Sequence, residues 1–301
     1  MRQHTLIDWI RATRPWSFPA SAMPVCVTLL WLLTLQEDLP HSLTTRDWCL
    51  GIWALVNIIF VHAAGNVWSD YFDYRRGVDA SDTYGVRQLV EGHFQPREFL
   101  RLSLGLQIVA ILAGIALVCL TGLPLLYIGI AGILLSLLYP PLKYSALGDL
   151  VILCCYGILP TLGTTYIVTG QILTDILWLA VPIGSITVAI LHVNNTRDIE
   201  TDRRAGIHTF ATLTGRGVAA VIYLLEILLP YVWIPMLIVK DFLPLTTLTV
   251  LISLPLAIRN VRTMLKYKQE GIEAIARLDE RTAQLQLVFS VLLMVGLAIS
   301  L

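Results

Sequence analysis

Nine apolar runs, each of roughly 18 to 24 residues, constrain this chain more than any other feature of its sequence. Each run is long enough to cross a hydrocarbon layer of about 30 Å, and at that length only helices satisfy their own backbone in lipid. We therefore predict an all-α polytopic membrane protein with about nine transmembrane helices around a central cavity that opens at the cytoplasmic side. The runs lie near 18–36, 48–67, 99–120, 122–139, 148–169, 174–194, 217–239, 243–261 and 282–301.

The composition agrees with a bilayer environment. Hydrophobic residues make up 56% of the 301 residues and charged residues only 14%, and the mean hydropathy is +0.73, well above that of soluble domains. A cleaved signal peptide is the competing interpretation of the first run, but no small-residue cleavage site follows it and eight further runs do. Because no Gly/Ser-rich or Pro-rich linker interrupts the spans, we expect residues 1–301 to form a single transmembrane domain.

The distribution of lysine and arginine predicts the orientation of the spans. With the N-terminus in the cytoplasm, all but two of the 21 basic residues fall in inside segments, and the exceptions are Arg46 and Lys240. Because basic residues concentrate in cytoplasmic loops, we expect a multi-pass protein of the cytoplasmic membrane with its C-terminus outside. Attraction to anionic lipid accounts for this basic face, so nucleic-acid binding has little support.

The cysteines predict neither a disulfide framework nor a zinc site. All five lie in or beside apolar runs, and none shows Cys-x-x-Cys spacing. We interpret them as small hydrophobic side chains.

Three long charged segments lie on the inside face, at about 74–98, 195–216 and 262–281. The first two carry acidic residues after an asparagine, whereas the third lacks this pattern and is interpreted as a solvated linker. The N-terminal residues 5–13 predict a short interfacial helix with its apolar side in the headgroup layer.

The first charged segment places three polar side chains on one helix face. If the second span continues through residue 73, Asn66, Asp70 and Asp73 fall at positions i, i+4 and i+7, about 6 Å apart per four-residue step. They belong to the stretch NVWSDYFDYRRGVD (66–79), which directly follows one of the most apolar stretches of the chain.

A matching pattern follows the sixth span, where Asn194, Asp198 and Asp202 fall at i, i+4 and i+8. Ordinary juxtamembrane ion pairs with nearby arginines are the alternative interpretation of each cluster. Two clusters of similar spacing favour a site, because an ionised aspartate costs roughly 2.5–3.5 kcal/mol at the centre of a span and less near its end. If the two helix ends are neighbours, four carboxylates converge at the inner membrane rim and require positive compensation.

The chemistry of these side chains indicates a hard cation. Mg²⁺ accepts carboxylate and amide oxygens, and it typically binds through one or two carboxylates together with substrate phosphate oxygens. The six side chains of the two patterns are therefore candidate metal ligands for a metal-diphosphate site. Basic residues on the same face are candidates for neutralising the remaining charge of the diphosphate. They are Lys143, Arg14, Arg87 and Arg204.

At these residues the sequence resembles the UbiA superfamily of intramembrane prenyltransferases, and within it the 1,4-dihydroxy-2-naphthoate polyprenyltransferases of menaquinone biosynthesis. Residues 194–215 resemble the second aspartate-rich motif of that family, and residues 11–25 and 146–170 resemble its N-terminal Arg-Pro-x-x-x-Pro and central Gly-Thr-x-Tyr segments. The sequence departs from the family pattern at Ser69, where asparagine is usual. The positions that match the first motif are Asn66, Asp70, Asp73, Gly77 and Asp79.

The resemblance implies Mg²⁺-dependent transfer of a polyprenyl group from a prenyl diphosphate to an aromatic acceptor. The acceptor implied is 1,4-dihydroxy-2-naphthoate, which loses CO₂ on prenylation and gives demethylmenaquinone. Metal and basic groups neutralise the departing diphosphate, and an electron-rich ring attacks a carbocation-like centre. The Ser69 departure bears on the acceptor more than on this chemistry. We expect catalytic roles for Asp70, Asp73, Asp198, Asp202 and Lys143.

Further side chains are candidates for the substrate pocket. His62 and His192 lie just before the two patterns and could line the pocket, with polar packing between helices as the alternative. Asp149 could orient Lys143 or cap the fifth helix. Three tyrosines near span ends could stabilise a cation with their ring faces, or could be interface residues. They are Tyr139, Tyr144 and Tyr166.

Other functions remain as alternatives. A cation-coupled transporter would use intramembrane acids, but transporters favour sites near the bilayer midplane, whereas these acids sit at helix ends. The Asp-Gly-x-x-Ala-Arg signature of phosphatidyl-transferring enzymes is absent from the sequence. Within the prenyltransferases, 4-hydroxybenzoate, a tocopherol precursor or a glycerol-phosphate lipid is an alternative acceptor.

Overall fold

The computed structural model describes residues 4–37, 39, 42–84 and 88–301, and within them the chain is helical with no strand. A π-helical turn at Cys154–Ile158 joins α6 to α7, and 3₁₀ turns precede α2, α8, α11 and α12. The α-helices are α1 (Leu6–Ala12), α2 (Pro19–Thr34), α3 (Thr45–Arg76), α4 (Pro96–Thr121), α5 (Leu123–Lys143), α6 (Gly148–Leu153), α7 (Leu159–Thr169), α8 (Leu177–Arg197), α9 (Ile199–Arg204), α10 (Phe210–Val239), α11 (Leu254–Glu270) and α12 (Leu278–Ile299).

Nine helical segments of the described residues are long and apolar enough to cross a membrane. This confirms the all-α, nine-span fold predicted from the apolar runs. The segments are Pro15–Thr34, Thr45–Arg76, Pro96–Thr121, Leu123–Lys143, Gly148–Thr169, Thr174–Arg197, Phe210–Val239, Leu245–Tyr267 and Ile272–Ile299.

The length of α3 carries the first polar pattern beyond the apolar run. The helix begins at a capping box, in which the Thr44 hydroxyl accepts from the Asp47 amide and the Asp47 carboxylate accepts from the Thr44 amide. Its 32 residues rise about 48 Å, well over the thickness of a hydrocarbon layer. The helix ends at Gly77, which adopts a φ of 72°, a left-handed conformation that costs glycine little. The predicted helical register of Asn66 to Asp73 is confirmed.

The second polar pattern crosses a break between α8 and α9. Asp198 lies between the two helices with a φ of −92° and a ψ of 11°. Its amide nevertheless donates to the Asn194 carbonyl at 2.9 Å, and its carbonyl accepts from the Asp202 amide at 2.8 Å. The four-residue spacing from Asn194 to Asp202 therefore survives the break.

The spans differ strongly in how much protein surrounds them. In α8, 67% of the most apolar window is buried, compared with 11% in α5. The buried face of α8, which includes Ile183, Ile186 and Val193, belongs to a large core shared with α10 and α12. The second polar pattern is thus attached to the most enclosed helix of the bundle.

Three connections meet at the membrane face where α3 and α8 end, which we call the motif face. Val78, Tyr144 and Ile207 follow α3, α5 and α9, and their side chains form a small buried cluster. The backbone adds two hydrogen bonds, because the Ala146 amide donates to the His208 carbonyl at 2.7 Å and the His208 amide donates to the Tyr144 carbonyl at 3.0 Å. These contacts fix the ends of the motif-bearing helices relative to one another.

The charged segments that the sequence analysis treated as long loops are partly helical in the structure. The segment 195–216 contains α9 and the start of α10, and the segment 262–281 contains the end of α11 and a 3₁₀ turn. These pieces are not simple extensions of the spans, because Asp198 separates α9 from α8 and Gly215, with a φ of 77°, interrupts the start of α10. Residues 5–13 contain α1, with Leu6, Ile7 and Ile10 exposed, so the interfacial anchor stays a prediction about this helix.

Candidate active site

A cavity of about 1220 Å³ opens between α3, α4, α5, α8 and the continuous helical segment formed by α6 and α7. Its end at the motif face is polar and carries residues of both aspartate patterns, whereas the remainder is apolar and includes Leu125, Ile128, Gly129 and Ile133. A ligand with a charged head and an apolar tail matches this division.

The Asn66 amide binds the segment before α2. Its Nδ2 donates to the Thr13 carbonyl at 2.9 Å and to the Ser17 hydroxyl at 3.0 Å. Its Oδ1 accepts from Arg14 Nη2 at 3.1 Å, and the same Arg14 nitrogen lies 3.1 Å from Asp70 Oδ1. Asn66 thereby holds Arg14 against Asp70 in the cavity wall.

Asp73 is the most heavily bonded carboxylate of the first pattern. Its Oδ2 accepts from Lys143 Nζ at 2.9 Å and from the Ser69 hydroxyl at 3.2 Å, and its Oδ1 accepts from the Tyr144 hydroxyl at 2.7 Å. Burial, and then the charge of Asp73, raise the pKa of Tyr144, so this hydroxyl remains a donor. Lys143 and Tyr144 sit at the end of α5, which links Asp73 to a second helix.

The second pattern presents its groups differently. Arg197 grips Asp198 with two hydrogen bonds, from Nε at 2.8 Å and from Nη2 at 2.9 Å, while its Nη1 reaches Asp279 at 3.3 Å. Arg197 is only 4% exposed. Asn194 also lines the cavity, and its Oδ1 is buried with no hydrogen-bond partner among the described residues.

Two carboxylates outside the spans titrate near neutrality. Burial, together with the charges of Asp73 and Asp70, raises the pKa of Asp79 to about 7. Burial and the neighbouring Asp198 and Asp73 likewise raise the pKa of Asp202 to about 7. Both groups line the cavity, so a cation bound there would compete with protons at these positions.

Most of the residues singled out from the sequence meet in this one cavity. Asp149 and Arg204 do not line this cavity. The predicted residues that line the cavity are Arg14, His62, Asn66, Asp70, Asp73, Tyr139, Lys143, Asn194, Asp198 and Asp202.

His62 takes part in a polar network at the cavity wall. Its Nδ1 lies 2.8 Å from the Ser21 hydroxyl, and its Nε2 lies 3.3 Å from the Ser17 hydroxyl. Ser17 also accepts from Asn66. His62 therefore lines the cavity and packs between helices at the same time, so both interpretations drawn from the sequence apply to it.

Asp149, in the first turn of α6, contacts side chains of α8, whereas Lys143 pairs with Asp73. The Oδ1 of Asp149 accepts from Asn195 Nδ2 at 3.4 Å, and its Oδ2 lies 3.6 Å from His192 Nδ1. The other oxygen neighbour of that nitrogen is Glu226 Oε1, at 3.7 Å. His192 thus lies between two acids outside the cavity lining.

Arg204 lies on the surface of the motif face. Its Nη1 and Nη2 donate to the two carboxylate oxygens of Asp82 at 2.8 and 2.9 Å, and its side chain is 56% exposed. Arg87 lies outside the described residues. Tyr166 donates to the Thr121 carbonyl at 2.8 Å, at the opposite ends of α7 and α4 from the acids.

Several cavity residues were absent from the predicted set. Arg197 was a visible candidate, because it directly precedes Asp198, and Asp79 matched the family motif without being assigned a role. Tyr156 lines the cavity from the π-helical turn, a local distortion that is frequent at functional sites. Its position had no signal in the sequence, because an apolar run does not show where a helix widens.

The donor set fits a hard divalent cation that shares its coordination with a ligand. Among the described residues, no three acidic, histidine or cysteine groups lie close enough to hold a metal by themselves. Mg²⁺ binds in this way, through one or two carboxylates, waters and phosphate oxygens. Asp79, Asp202 and the unpartnered Asn194 oxygen lie at the cavity surface and present oxygens of the kind that such a cation accepts.

Residues 25–288 match the sequence model of the UbiA prenyltransferase family. The chain belongs to the UbiA prenyltransferase family. It is accordingly a membrane-embedded enzyme that transfers prenyl groups, as the resemblance of its aspartate patterns predicted.

Two relatives illustrate the range of the UbiA family around this chain. The UbiA prenyltransferase domain-containing protein 1 of Xenopus tropicalis is 33% identical over 97% of this chain and 82% of that protein. The 1,4-dihydroxy-2-naphthoate octaprenyltransferase of Bacillus subtilis (strain 168) is 28% identical over 96% of this chain and 91% of that enzyme.

Solved structures of UbiA homologues share the fold. The homologue from Aeropyrum pernix K1 has a TM-score of 0.69 at 16% identity and covers 94% of this chain and 97% of its own. The homologue from Archaeoglobus fulgidus, bound to GPP and Mg²⁺, has a TM-score of 0.58 at 12% identity and covers 95% of this chain and 99% of its own. At these identities the likeness concerns the fold alone.

Proposed function

We propose that this UbiA prenyltransferase transfers a polyprenyl group from a prenyl diphosphate to 1,4-dihydroxy-2-naphthoate, with Mg²⁺ as cofactor and loss of CO₂. The immediate product would be demethylmenaquinol, the quinol form, which gives demethylmenaquinone only after a separate oxidation. The observation that carries the proposal is the meeting of both aspartate patterns at the polar end of one otherwise apolar cavity. The naphthoate octaprenyltransferase relative and the homologue bound to GPP and Mg²⁺ support it.

The diphosphate end of the donor would lie among the charged side chains. We assign Asp70, Asp73, Asp198 and Asp202 as metal ligands with Asn194, whose Oδ1 is available, and add Asp79, which lines the same cavity. Asn66, also predicted as a ligand, already bonds to Arg14 through its oxygen, so its first role is to position that cation. Mg²⁺ would supply charge neutralisation of the departing diphosphate.

Three cations at the cavity wall would bind the phosphate oxygens. Arg14, Lys143 and Arg197 all line the cavity, and each also contacts an aspartate of the two patterns. Charge-assisted hydrogen bonds from such groups strengthen as negative charge develops on the leaving group. Each of these cationic side chains can therefore pair with a carboxylate before the donor binds, and with both the carboxylate and a phosphate oxygen afterwards.

The reaction needs little proton transfer from the protein. The allylic C–O bond breaks and its electron pair leaves with the diphosphate, giving a carbocation-like carbon that the ring face of Tyr139 can stabilise. The ring carbon bearing the acceptor carboxylate attacks this centre and forms the new C–C bond. The carboxylate then leaves as CO₂, and the electrons of its bond restore the aromatic ring.

The orientation of this chemistry follows from the basic residues. Because the lysines and arginines of the described residues lie at the motif face, apart from Arg46 and Lys240, we propose that this face is cytoplasmic and that the chain resides in the cytoplasmic membrane. Water-soluble acceptors would then reach the polar end of the cavity directly, while the prenyl tail lies at bilayer depth.

The test is product formation in membranes that contain the expressed chain. Membranes receive a prenyl diphosphate with 1,4-dihydroxy-2-naphthoate or 4-hydroxybenzoate, with and without Mg²⁺, and products are identified by mass. We expect a decarboxylated prenyl naphthoquinol only with the naphthoate and Mg²⁺. Prenylated 4-hydroxybenzoate alone would reassign the acceptor, and cation-driven solute uptake without prenylation would overturn the enzymatic assignment.

Variants of single acidic residues test whether activity needs the carboxylates of the proposed metal site or only negative charge at the motif face. Asp70→Asn and Asp198→Asn should each abolish turnover while membrane insertion is retained. Glu200→Gln is the matched control, because Glu200 lies on α9 between the two cavity aspartates of the second pattern and pairs with Arg216 at the surface. Full activity in either aspartate variant would remove that carboxylate from the proposed site.

A further inference from the structure

A second concave site lies at the motif face, between α11 and the start of α12. It has a volume of about 700 Å³ and shares no residue with the catalytic cavity. Apolar residues, including Pro255 and Ile258, form part of its wall. The charged residues of its wall are Arg259, Arg262, Lys266, Glu270 and Arg281. We call this site the basic cleft.

The charge of the basic cleft is only partly compensated by the protein. Lys266 Nζ pairs with Glu270 Oε1 at 3.2 Å on the surface, and Arg281 Nη1 reaches the Thr263 hydroxyl at 3.5 Å. Within the part of the chain that the structure describes, Arg259 and Arg262 have no acidic side chain within ion-pair distance. Four cations thus face one carboxylate.

The sequence of α11 produces this arrangement. Ala257, Asn260 and Met264 are buried and lie at i, i+3 and i+7, which places them on one helix face. Arg259 and Arg262 are offset from them by two residues and therefore lie on the opposite face. An amphipathic helix of this kind presents its basic face away from the bundle.

The depth of the two arginines distinguishes the cleft from an ordinary basic loop. The span Leu245–Tyr267 ends at the motif face, and Arg259 precedes its last residue by about 12 Å along the helix axis. Because long basic side chains near the end of a span extend toward the headgroups, we expect the two guanidinium groups close to the hydrocarbon boundary. At this level the abundant anions are lipid phosphates.

We propose that the basic cleft binds the headgroup phosphate of an anionic phospholipid from the leaflet at the motif face. Arg259 and Arg262 donate to the phosphate oxygens, since planar guanidinium groups match that geometry. Arg281 and Lys266 add charge from the two sides. Pro255 and Ile258 contact the glycerol and the first methylene groups of the acyl chains.

The test measures lipid binding to the full-length chain by native mass spectrometry. The purified and delipidated protein is mixed with phosphatidylglycerol or with phosphatidylcholine of identical acyl chains. We expect phosphatidylglycerol to bind at least about tenfold more tightly, with most of this preference lost in the Arg259→Gln/Arg262→Gln double variant. Arg259→Lys/Arg262→Lys, which keeps the charge, should retain part of it.

The matched control removes two charges elsewhere on the same face. Arg97 and Arg101 lie one turn apart near the start of α4 and are exposed, and Arg97→Gln/Arg101→Gln should keep the full preference. If both glutamine double variants lost the lipid preference equally, the preference would come from diffuse attraction between the basic face and anionic lipid, and the proposed site would be overturned. Complete displacement of the lipid by inorganic phosphate at equal concentration, or equal binding of both lipids to the parent chain, would also overturn it.

Discussion

Lys143 Nζ lies 2.9 Å from Asp73 Oδ2, and this contact joins the end of α5 to the first aspartate pattern. Both side chains are largely buried and both line the catalytic cavity. A cation held in this place can neutralise a carboxylate in the free enzyme and a phosphate in the enzyme with bound prenyl diphosphate. Under the proposed function, this contact links the fold to donor binding.

Replacement of Lys143 should impair the chemical step. We expect Lys143→Gln to lower kcat by roughly 10²- to 10³-fold, the range found when one donor to a developing anion is removed. Lys143→Arg should retain more activity because the charge remains. Steady-state kinetics in membranes measures the effect, with Lys240→Gln at the opposite face as control. A change in KM alone would assign Lys143 to ground-state binding.

Removal of the Tyr144 hydroxyl should have a smaller effect. Tyr144→Phe deletes the 2.7 Å hydrogen bond to Asp73 but leaves the Lys143 contact, so we expect a loss of kcat/KM of about two- to fifteen-fold. Tyr166→Phe is the matched control, because Tyr166 donates to Thr121 far from the acids. If the two variants behaved alike, the hydroxyl at Asp73 would have no role of its own.

Arg204 pairs with Asp82 at the protein surface, and this position predicts that Arg204 contributes little to catalysis. Because Arg204 and Asp82 are both more than half exposed, we expect Arg204→Gln and Asp82→Asn to change kcat/KM less than about twofold, as surface pairs contribute little. Kinetics over a range of prenyl diphosphate concentrations checks this. A large rise in KM for Arg204→Gln alone would support the substrate-binding role predicted from the sequence.

Metal affinity should depend on pH. The pKa values of Asp79 and Asp202 are raised to about 7, so each carries a proton at pH 6 that a metal must displace. Affinity should rise between pH 6 and 8 and level off above the pKa, by about tenfold for each displaced proton. Calorimetry with Mn²⁺ in two buffers counts the protons released. Affinity that is constant over this range, with no proton release, would contradict the prediction.

Close packing at Gly296 should matter for stability. A Cβ at this position would lie 2.6 Å from the Thr247 Cα and 2.7 Å from the Thr246 carbonyl oxygen. Gly296→Ala should therefore destabilise the protein by about 1–3 kcal/mol and lower its Tm by several degrees. Gly105→Ala, with open space around the added methyl group, is the control in the same thermal unfolding assay.

The sequence was sufficient for the spans and for the register of the acids. Apolar length alone predicts nine crossings, and helical periodicity places Asn66, Asp70 and Asp73 on one face. Their meeting with Asn194 and Asp202 required one further assumption, that the two helix ends are neighbours. Matched polar patterns at a hydrophobic boundary made that assumption reasonable.

The partners of individual charges could not be predicted in the same way. Asp149 was expected either to orient Lys143 or to cap the fifth helix; it lies in the first turn of α6 and contacts His192, and helix rotation sets which neighbour such a side chain faces. Arg204 bonds to Asp82, which is 122 positions away in the chain. Such pairings depend on the packing of connections, and periodicity within one segment carries no information about them.

The cluster of Val78, Tyr144 and Ile207, with the hydrogen bonds between Tyr144, Ala146 and His208, has a mechanical consequence. It joins the connections after α3, α5 and α9 at the ends of the helices. Spans adjust their tilt when bilayer thickness changes. Because the charged groups are braced by these connections, helices can lean within lipid of different thickness while the spacing of the charges is preserved.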